Sequence, residues 1–454
     1  LLLKWTNRHD TDPKLGRVQT TDIMLKDVLM MKQNNINTLR TSHYPNDAKM
    51  YAMLDHYGIY TVCEADLEDH PNQSISDMPS WIPAFCDRIE RMVTRDRNHP
   101  AVIIWSMGNE AGDGENFKYC YETSNRLDPT RPVHYEGTRG DSKYGGGRWS
   151  DFYSRMYPPI SWVKENTHNL DKPMFLCEYA HAMGNAIGNL QEYWDVIENS
   201  NSGIGGCIWD WVDQAIYDPQ EMKQGVYRLH TGYDYPGPHQ GNFCSNGIIP
   251  ATREVSAKLM EVKAVYSYIK VKLGDVDKKK NTASVKVTNN YLFTNLDAYQ
   301  LVAEVVNNGY VLASATQDLP AVNPGASADI LIQLPKTQLL KSERKGEEVL
   351  LTLRVLRKEA TLWAQAGHEE LVKQFALTER APLVALKSSK EKLASPLSLT
   401  PYDTFQSSRI SVSIENETGE LKSLMFDGME VLGEGHNFLF DPFRWIENDR
   451  REDT

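Results

Sequence analysis

Short apolar runs alternate with longer amphipathic ones through residues 1–215, and no other feature of the chain constrains its fold as much. Eight runs have strand length and composition: Leu2–Thr6, Thr38–Ser42, Tyr60–Ala65, Val102–Met107, Val133–Glu136, Asp151–Met156, Met174–Glu178 and Gly206–Trp211. Helical patterns fill most of the gaps. Thr21–Asn34 is the clearest, with Ile23, Val28, Leu29 and Met31 apolar behind a Thr/Asp start. Asn46–Tyr57 follows Pro45, offers Asn46 as a cap and stops at Gly58. Further helices are expected at Trp81–Arg97, Glu115–Leu127 and Asn189–Glu198. Eight strand–helix units in about 270 residues predict a (β/α)8 barrel, a TIM barrel, over residues 1–271. The strands are continuous apolar runs, as strands covered on both faces are.

The pattern changes near Lys270. From Ser284 onward period-2 alternation dominates, as in Ala283–Thr288, Gln300–Val306 and Val349–Leu356, with turn signals at Asn307-Asn308-Gly309 and Asn323-Pro324-Gly325. This predicts an immunoglobulin-like β-sandwich over 272–382. Ala381–Ser398, rich in Lys, Ser and Ala, reads as a linker. Ser411–Ile414 and Lys422–Phe426 then open a partial C-terminal β-sandwich, 396–454.

The net charge of -12 argues against a nucleic-acid partner, since phosphate binding needs a basic surface. No apolar run is long enough to span a bilayer as a helix. The six cysteines form no CxxC pair, which argues against structural zinc. Cys63, Cys177 and Cys207 lie in apolar runs and read as buried small hydrophobes. Reduced thiols fit a cytoplasm, with a periplasm as the alternative. The start, LLLKWTNRH, has no basic n-region of a signal peptide, and both ends of the chain read as cut.

In a barrel of this kind the chemistry sits at the C-terminal ends of the strands. Most strands here are apolar until their end and then turn polar: Asn7, Arg8, His9 and Asp10; Arg40, Ser42 and His43; Glu64, Asp66, Glu68 and His70; Asn109 and Glu110; Arg155 and Tyr157; Glu178, Tyr179, His181 and Asn185; Trp209, Asp210, Trp211 and Asp213. Glu110 and Glu178 hold matched positions after strands 4 and 7, across the barrel mouth from one another. Paired carboxylates there are the equipment for glycoside hydrolysis with retention: one protonates the leaving oxygen and the other attacks the anomeric carbon. Asn109 could bond a sugar 2-hydroxyl. A lone strand-end Glu is more often an ion pair or a cap, but the pair in this pattern is not.

Aromatic rings near the rim could stack on sugar faces. Trp105 reads as core packing, whereas strand parity cannot choose between Trp209 and Trp211. Glu68-Asp69-His70 is a weak candidate for an Mg²⁺ or Mn²⁺ site on spacing alone, equally consistent with hydrogen bonding to a sugar.

The strings NRHD at 7–10, RTSHYPN at 40–46, DRNHPAVIIWSMGNEAG at 96–112, CEYAHAMGN at 177–185, WDWVDQ at 209–214 and NFCSNG at 242–247 resemble the large β-galactosidases of glycoside hydrolase family 2. The resemblance is dense to about residue 270 and looser through the sandwich. It implies hydrolysis of terminal β-galactosides by double displacement. Glu110 would be the acid/base, Glu178 the nucleophile, and Tyr157 the group that helps the nucleophile leave. His9, His43, Asn109 and His181 would hold galactose hydroxyls, Trp209 would be the stacking ring, and Arg40 would support Glu178. Glu68, His70 and Glu110 would ligate Mg²⁺ (or Mn²⁺), and Phe243, through its carbonyl, and Asn246 would help bind Na⁺. The full-length protein would be a homo-oligomer.

The chain also departs from that family. The β domains expected before the barrel, one of which supplies an Asp to the Na⁺, are absent, and the C-terminal sandwich is barely begun. Trp5 stands where the family usually has Gly, and DPFRWIENDRR replaces an Arg-Ala-Pro-type string near the end. Within the class, a β-glucuronidase or β-mannosidase is the nearest rival, but a glucuronidase needs a cation for the sugar carboxylate and CEYAHAMGN has no Lys. A binding module without turnover would have lost a carboxylate. A metal-dependent hydrolase built on Glu68 and His70 lacks further ligands at fixed spacing.

Overall fold

The computed structural model describes residues 2–336, 348–378, 397–399 and 402–432. Eight parallel strands, β1 (Leu3–Arg8), β2 (Thr38–Thr41), β3 (Tyr60–Glu64), β4 (Val102–Ser106), β5 (Val133–His134), β6 (Tyr153–Met156), β7 (Met174–Tyr179) and β8 (Gly203–Ile208), form one curled sheet in the order β5-β4-β3-β2-β1-β8-β7-β6. The order runs consecutively around a (β/α)8 barrel, with β8 beside β1. At the seam between β5 and β6 there is no ladder; the Asp151 N–H donates to Val133 O at 2.8 Å, and His134 Nε2 lies 2.9 Å from Ser154 Oγ.

The helices α1 (Thr21–Gln33), α2 (Ala48–Tyr57), α3 (Ile82–Asp96), α4 (Asn116–Leu127), α5 (Ile160–Asn166) and α6 (Leu190–Ile197) follow β1 to β4, β6 and β7. Their apolar faces, such as Met24, Val28 and Met31 of α1, bury against the outside of the sheet. Thr20 caps α1 by accepting the Ile23 N–H at 3.3 Å. Gly58 ends α2 in the left-handed region. The cap of α2 is Asp47, which accepts the Lys49 N–H at 2.8 Å, and not Asn46 as expected. Asn46 is buried instead, where it accepts from Arg8 and donates its N–H to the Tyr51 hydroxyl. Inside the barrel Leu3, Trp5, Val62, Ile104, Phe152, Phe175, Cys177 and Cys207 make a separate plug. Trp5 fills its centre, 4.0 Å from the Phe175 ring. Trp105 packs outside the sheet, and its indole N–H donates to Asp128.

The eighth strand begins three residues earlier and ends three earlier than expected. Gly205 is the reason: a Cβ there would meet Leu3 O at 1.9 Å, so β8 approaches β1 more closely than a side chain allows. Trp209–Trp211 have left the ladder; the Asp210 N–H goes to Asn246 O and the Trp211 N–H to Asn7 O. After β8 the long mouth loop carries a short antiparallel pair, β9 (Ile216–Tyr217) and β10 (Leu229–His230), with α7 (Pro219–Lys223) between them, and α8 (Ala257–Val265) follows.

The sandwich has two antiparallel sheets. One holds β11 (Ile269–Asp277), β12 (Thr282–Asn289) and β15 (Ser327–Gln333). The other holds β14 (Tyr310–Asp318), β13 (Tyr299–Asn307), β16 (Val349–Arg357) and β17 (Glu369–Ala376). Alternate residues such as Leu301, Ala303 and Val305 on β13 fill the core between them. Asn308 and Gly309, both at positive φ, turn β13 into β14, as a tight hairpin with a primed turn requires. Barrel and sandwich fall in one compact unit, Leu1–Arg380, and Ala381–Thr454 in a second. In the second, β18 (Leu397–Leu399), β19 (Tyr402–Gln406), β20 (Ile410–Glu415), β21 (Leu421–Phe426) and β22 (Met429–Glu430) make an antiparallel sheet. The stretch read as a linker lies outside the described residues up to its last two, which begin β18; DPFRWIENDRR lies outside them entirely.

Candidate active site

The polar residues that end the barrel strands converge on one mouth. Its floor is Arg40, at the end of β2 and fully buried. Its Nε and Nη2 donate to the two oxygens of Glu64 at 2.7 and 3.1 Å, and Nη2 also reaches Asn109 Oδ1 at 2.9 Å. Its Nη1 donates to Asn7 Oδ1, Cys177 O and Glu178 Oε1 at 3.1, 3.1 and 3.2 Å. A buried guanidinium is tolerated only when its donors are met in this way. Burial pushes the Glu64 carboxyl up, but Arg40 and His43 outweigh it and hold it at about 2. Glu64 is therefore a fixed anion that keeps Arg40 in place.

Glu178 ends β7 and is buried. Oε1 faces Arg40, and Oε2 accepts the Tyr157 hydroxyl at 2.8 Å. Burial raises its pKa; Arg40, His43 and Tyr157 pull the other way without cancelling the rise, and the charge of Glu110 adds to it. Burial, then Glu178, push the Tyr157 phenol far above its ordinary value, so it stays a donor. Beside Glu178 stand His43, with Nδ1 2.7 Å from Glu64 Oε1, and Trp209, stacked on His43 at 5.1 Å and 7°. His9 meets both rings edge-on. Burial, then His43 and nearby arginines, lower His9 to about 3, which keeps it a neutral imidazole. His181 lies 5.9 Å from the Tyr157 ring and 5.8 Å from Phe243, its pKa lowered by burial.

Glu110 follows β4 under different conditions. Its side chain is 40% exposed, and Oε2 bonds His70 Nε2. Its backbone sits at φ 45°, a left-handed conformation that costs a non-glycine residue about 1–3 kcal/mol. Glu68 Oε1 is 3.2 Å from His70 Nδ1 and accepts from Asn109. Glu68, His70 and Glu110 each place a ligand atom within 4.8 Å of the others. Two carboxylates and an imidazole so close together suit a hard divalent cation. Asn246 Nδ2 donates to Phe243 O at 2.8 Å, and Asn246 Oδ1 is buried with no donor in reach among the described residues. That orphaned oxygen fits a monovalent cation, with few other ligands.

Every site residue expected from sequence thus lies in one chain of contacts around the mouth. Trp209 faces the site, while Trp211 is fully buried in the core, a choice that strand parity leaves open because neither residue remains in the strand. The sequence reading gives Glu64 no role and does not single out Glu136, Tyr135, Tyr44 or His134. Glu136 follows β5 as Glu110 follows β4, so the strand-end pattern holds its signal. A cavity of about 970 Å³ lies at the other end, among Leu2, Lys4, Asn37, Tyr60 and sandwich residues such as Tyr291. No comparable set of catalytic groups converges there, so side-chain chemistry and not volume marks the site.

Residues 1–271 match the family model for the TIM barrel domain of the glycosyl hydrolases family 2, and residues 285–378 match that for β-galactosidase domain 4. A β-galactosidase of Priestia megaterium (strain DSM 319 / IMG 1521) is 36% identical over 458 residues, covering 98% of this chain and 43% of that protein. The chain therefore spans less than half the length of this curated relative. Among solved structures, a GH2 β-galacturonidase from Eisenbergiella tayi bound to galacturonate is 21% identical, with TM-score 0.45, covering 59% of this chain and 51% of that one. A Ruminococcus gnavus β-glucuronidase is 20% identical, with TM-score 0.44, covering 58% and 50%.

Proposed function

The chain belongs to glycosyl hydrolase family 2, and from that premise we propose that it hydrolyses terminal β-D-galactosides with retention, using Glu178 as nucleophile and Glu110 as acid/base. The observation that carries this reading is the contrast between the two carboxylates at one mouth. Glu178 is buried, aimed by Arg40 and Tyr157; Glu110 is open to water. In the first step Glu178 attacks the anomeric carbon while Glu110 gives its proton to the departing oxygen, leaving a covalent galactosyl-enzyme. In the second, Glu110 takes a proton from water, the water attacks the anomeric carbon, and Glu178 departs. The Tyr157 hydroxyl, bonded to Oε2, stabilises the carboxylate as its charge returns. His9, His43, Asn109 and His181 would bond sugar hydroxyls, with Trp209 against an apolar sugar face.

A neutral sugar is supported by the state of Arg40. Its donors are met by protein oxygens, so it has none left for a uronate carboxylate. Arg17, which is exposed, donates from Nη1 to the Tyr44 hydroxyl at 2.6 Å. Glu68, His70 and Glu110 would hold Mg²⁺ or Mn²⁺, whose charge would bias the proton affinity of the acid/base. The Phe243 carbonyl and Asn246 Oδ1 would contribute to a Na⁺ site. A homo-oligomer in the cytoplasm is the corresponding reading for the whole protein. No helix among the described residues is long and apolar enough to cross a membrane.

The test is hydrolysis of nitrophenyl β-galactoside by the protein at its natural length, beside Glu178→Gln and Glu110→Gln, with and without Mg²⁺. The expected result is loss of at least about a thousandfold in Glu178→Gln, rescue by azide as the α-galactosyl azide, and slower turnover on chelation. Full turnover in both variants would end the residue assignment, and faster cleavage of nitrophenyl β-glucuronide would end the sugar assignment.

A further inference from the structure

Glu110 needs aiming from somewhere other than its side chain. Its carboxyl is 40% exposed and its side chain bonds His70. The backbone around it is held tightly. The Asn109 N–H donates to Leu67 O at 2.8 Å. The Glu110 N–H donates to Glu136 Oε1 at 2.6 Å, and the Glu110 carbonyl accepts from Gln73 Nε2 at 2.6 Å. The Ala111 N–H donates to the Tyr135 hydroxyl at 3.0 Å, and that hydroxyl donates to Gly112 O at 2.8 Å. Tyr135 and Glu136 are the two residues directly after β5, so one segment grips three successive residues of the turn after β4. Gly137 lets the grip close, because a Cβ there would meet the Tyr135 hydroxyl at 2.5 Å and Gly112 O at 2.6 Å.

Within this clamp the Glu136 bond falls on the one residue that is both left-handed and chemically active. Glu136 is itself buried, and its Oε2 has no hydrogen-bond partner among the described residues. A buried carboxyl with an unmet oxygen is costly, and such groups persist where something depends on them. Resting on the assignment of Glu110 as acid/base, we propose that Glu136 is the positioning residue of the acid/base: through the Glu110 N–H it holds the left-handed turn that points the Glu110 carboxyl at the leaving oxygen. Without it the turn relaxes and proton delivery fails, while attack by Glu178 on the anomeric carbon continues.

The role has a signature that general structural damage lacks. A dinitrophenyl aglycone leaves without a proton, whereas the glucose of lactose needs one. The experiment measures kcat/KM for 2,4-dinitrophenyl β-galactoside and for lactose in Glu136→Ala, Glu136→Asp and Glu136→Gln, with Glu110→Gln alongside and melting curves for each. Lactose cleavage should fall roughly ten- to hundredfold in the Ala and Asp variants, with a much smaller change for the dinitrophenyl substrate. Gln, which keeps an acceptor at the same reach, should recover most of the loss. Should Glu136→Ala fail to fold, Glu136→Asp, which keeps the carboxyl group and loses the reach, carries the test. Equal losses on both substrates, or no recovery with Gln, overturns the proposal. If Glu110→Gln itself fails to separate the two substrates, the assignment of Glu110 falls instead.

Discussion

The rims after β7 and β4 carry the same side chain under opposite conditions. Glu178 is buried, and both its oxygens are bonded by other side chains, Arg40 and Tyr157. Glu110 is 40% exposed and is fixed through its backbone, at a left-handed φ, by Glu136, Gln73 and neighbours. The difference teaches how one fold separates two roles for a carboxylate. A nucleophile must hold one position and exclude water, so it is wired from the side. An acid/base must exchange protons with solvent on every cycle, so its head stays open to water, with one oxygen toward His70, and its stem is clamped.

Arg40 is where the comparison can be broken most severely, since it touches Glu64 and Asn109 on one side and Glu178 on the other. Arg40→Met leaves Glu64 and Glu178 buried without their cation, at a cost of about 3–5 kcal/mol. The check is a fall in the urea midpoint together with loss of turnover; an unchanged midpoint would mean that the network is not what holds the floor. Tyr157→Phe affects the Glu178 side alone. Turnover should fall roughly a hundredfold where departure of Glu178 limits the rate, with accumulation of the galactosyl-enzyme in rapid-quench experiments. A fall without accumulation would place Tyr157 in the first step.

A third effect belongs to the floor beneath both rims and develops only on acidification. Burial is the chief cause of the lowered His134 pKa, about 3. The unfolded chain binds a proton at this side chain below about 6.5, whereas the folded protein does not until about 3. Stability from His134 is therefore present above about pH 6.5 and lost as pH falls toward 3, at a slope of about 1.4 kcal/mol per pH unit. Against His134→Gln, which does not titrate, the wild type should lose its advantage across that window in paired urea titrations. Parallel curves would show that the imidazole already carries a proton in the fold.

The barrel was legible because its strands are short apolar runs that turn polar at one end, and burial on both faces leaves them no alternation to confuse. The sandwich was legible for the opposite reason, as with Leu301, Ala303 and Val305 on β13. The eighth strand was displaced because Gly203, Gly205 and Gly206 leave Ile204 alone to mark the strand's start, and its pairing depends on the close approach of Gly205 to Leu3. The Asn46 cap was misread because Asp47, next to it, offers the same chemistry one residue later. Glu136 and His134 escaped because their partners, Glu110, Ser106 and Ser154, sit on neighbouring strands. Only the order of strands around the barrel brings them together.

The most direct test of the account is to trap the intermediate. The protein at its natural length is incubated with 2,4-dinitrophenyl 2-deoxy-2-fluoro-β-galactoside, digested, and its peptides read by mass spectrometry. The account predicts a single fluorogalactosyl ester, on Glu178 within MFLCEYAHAM, formed as dinitrophenolate is released. An ester on any other carboxylate, or release of dinitrophenolate with no labelled peptide, would contradict it.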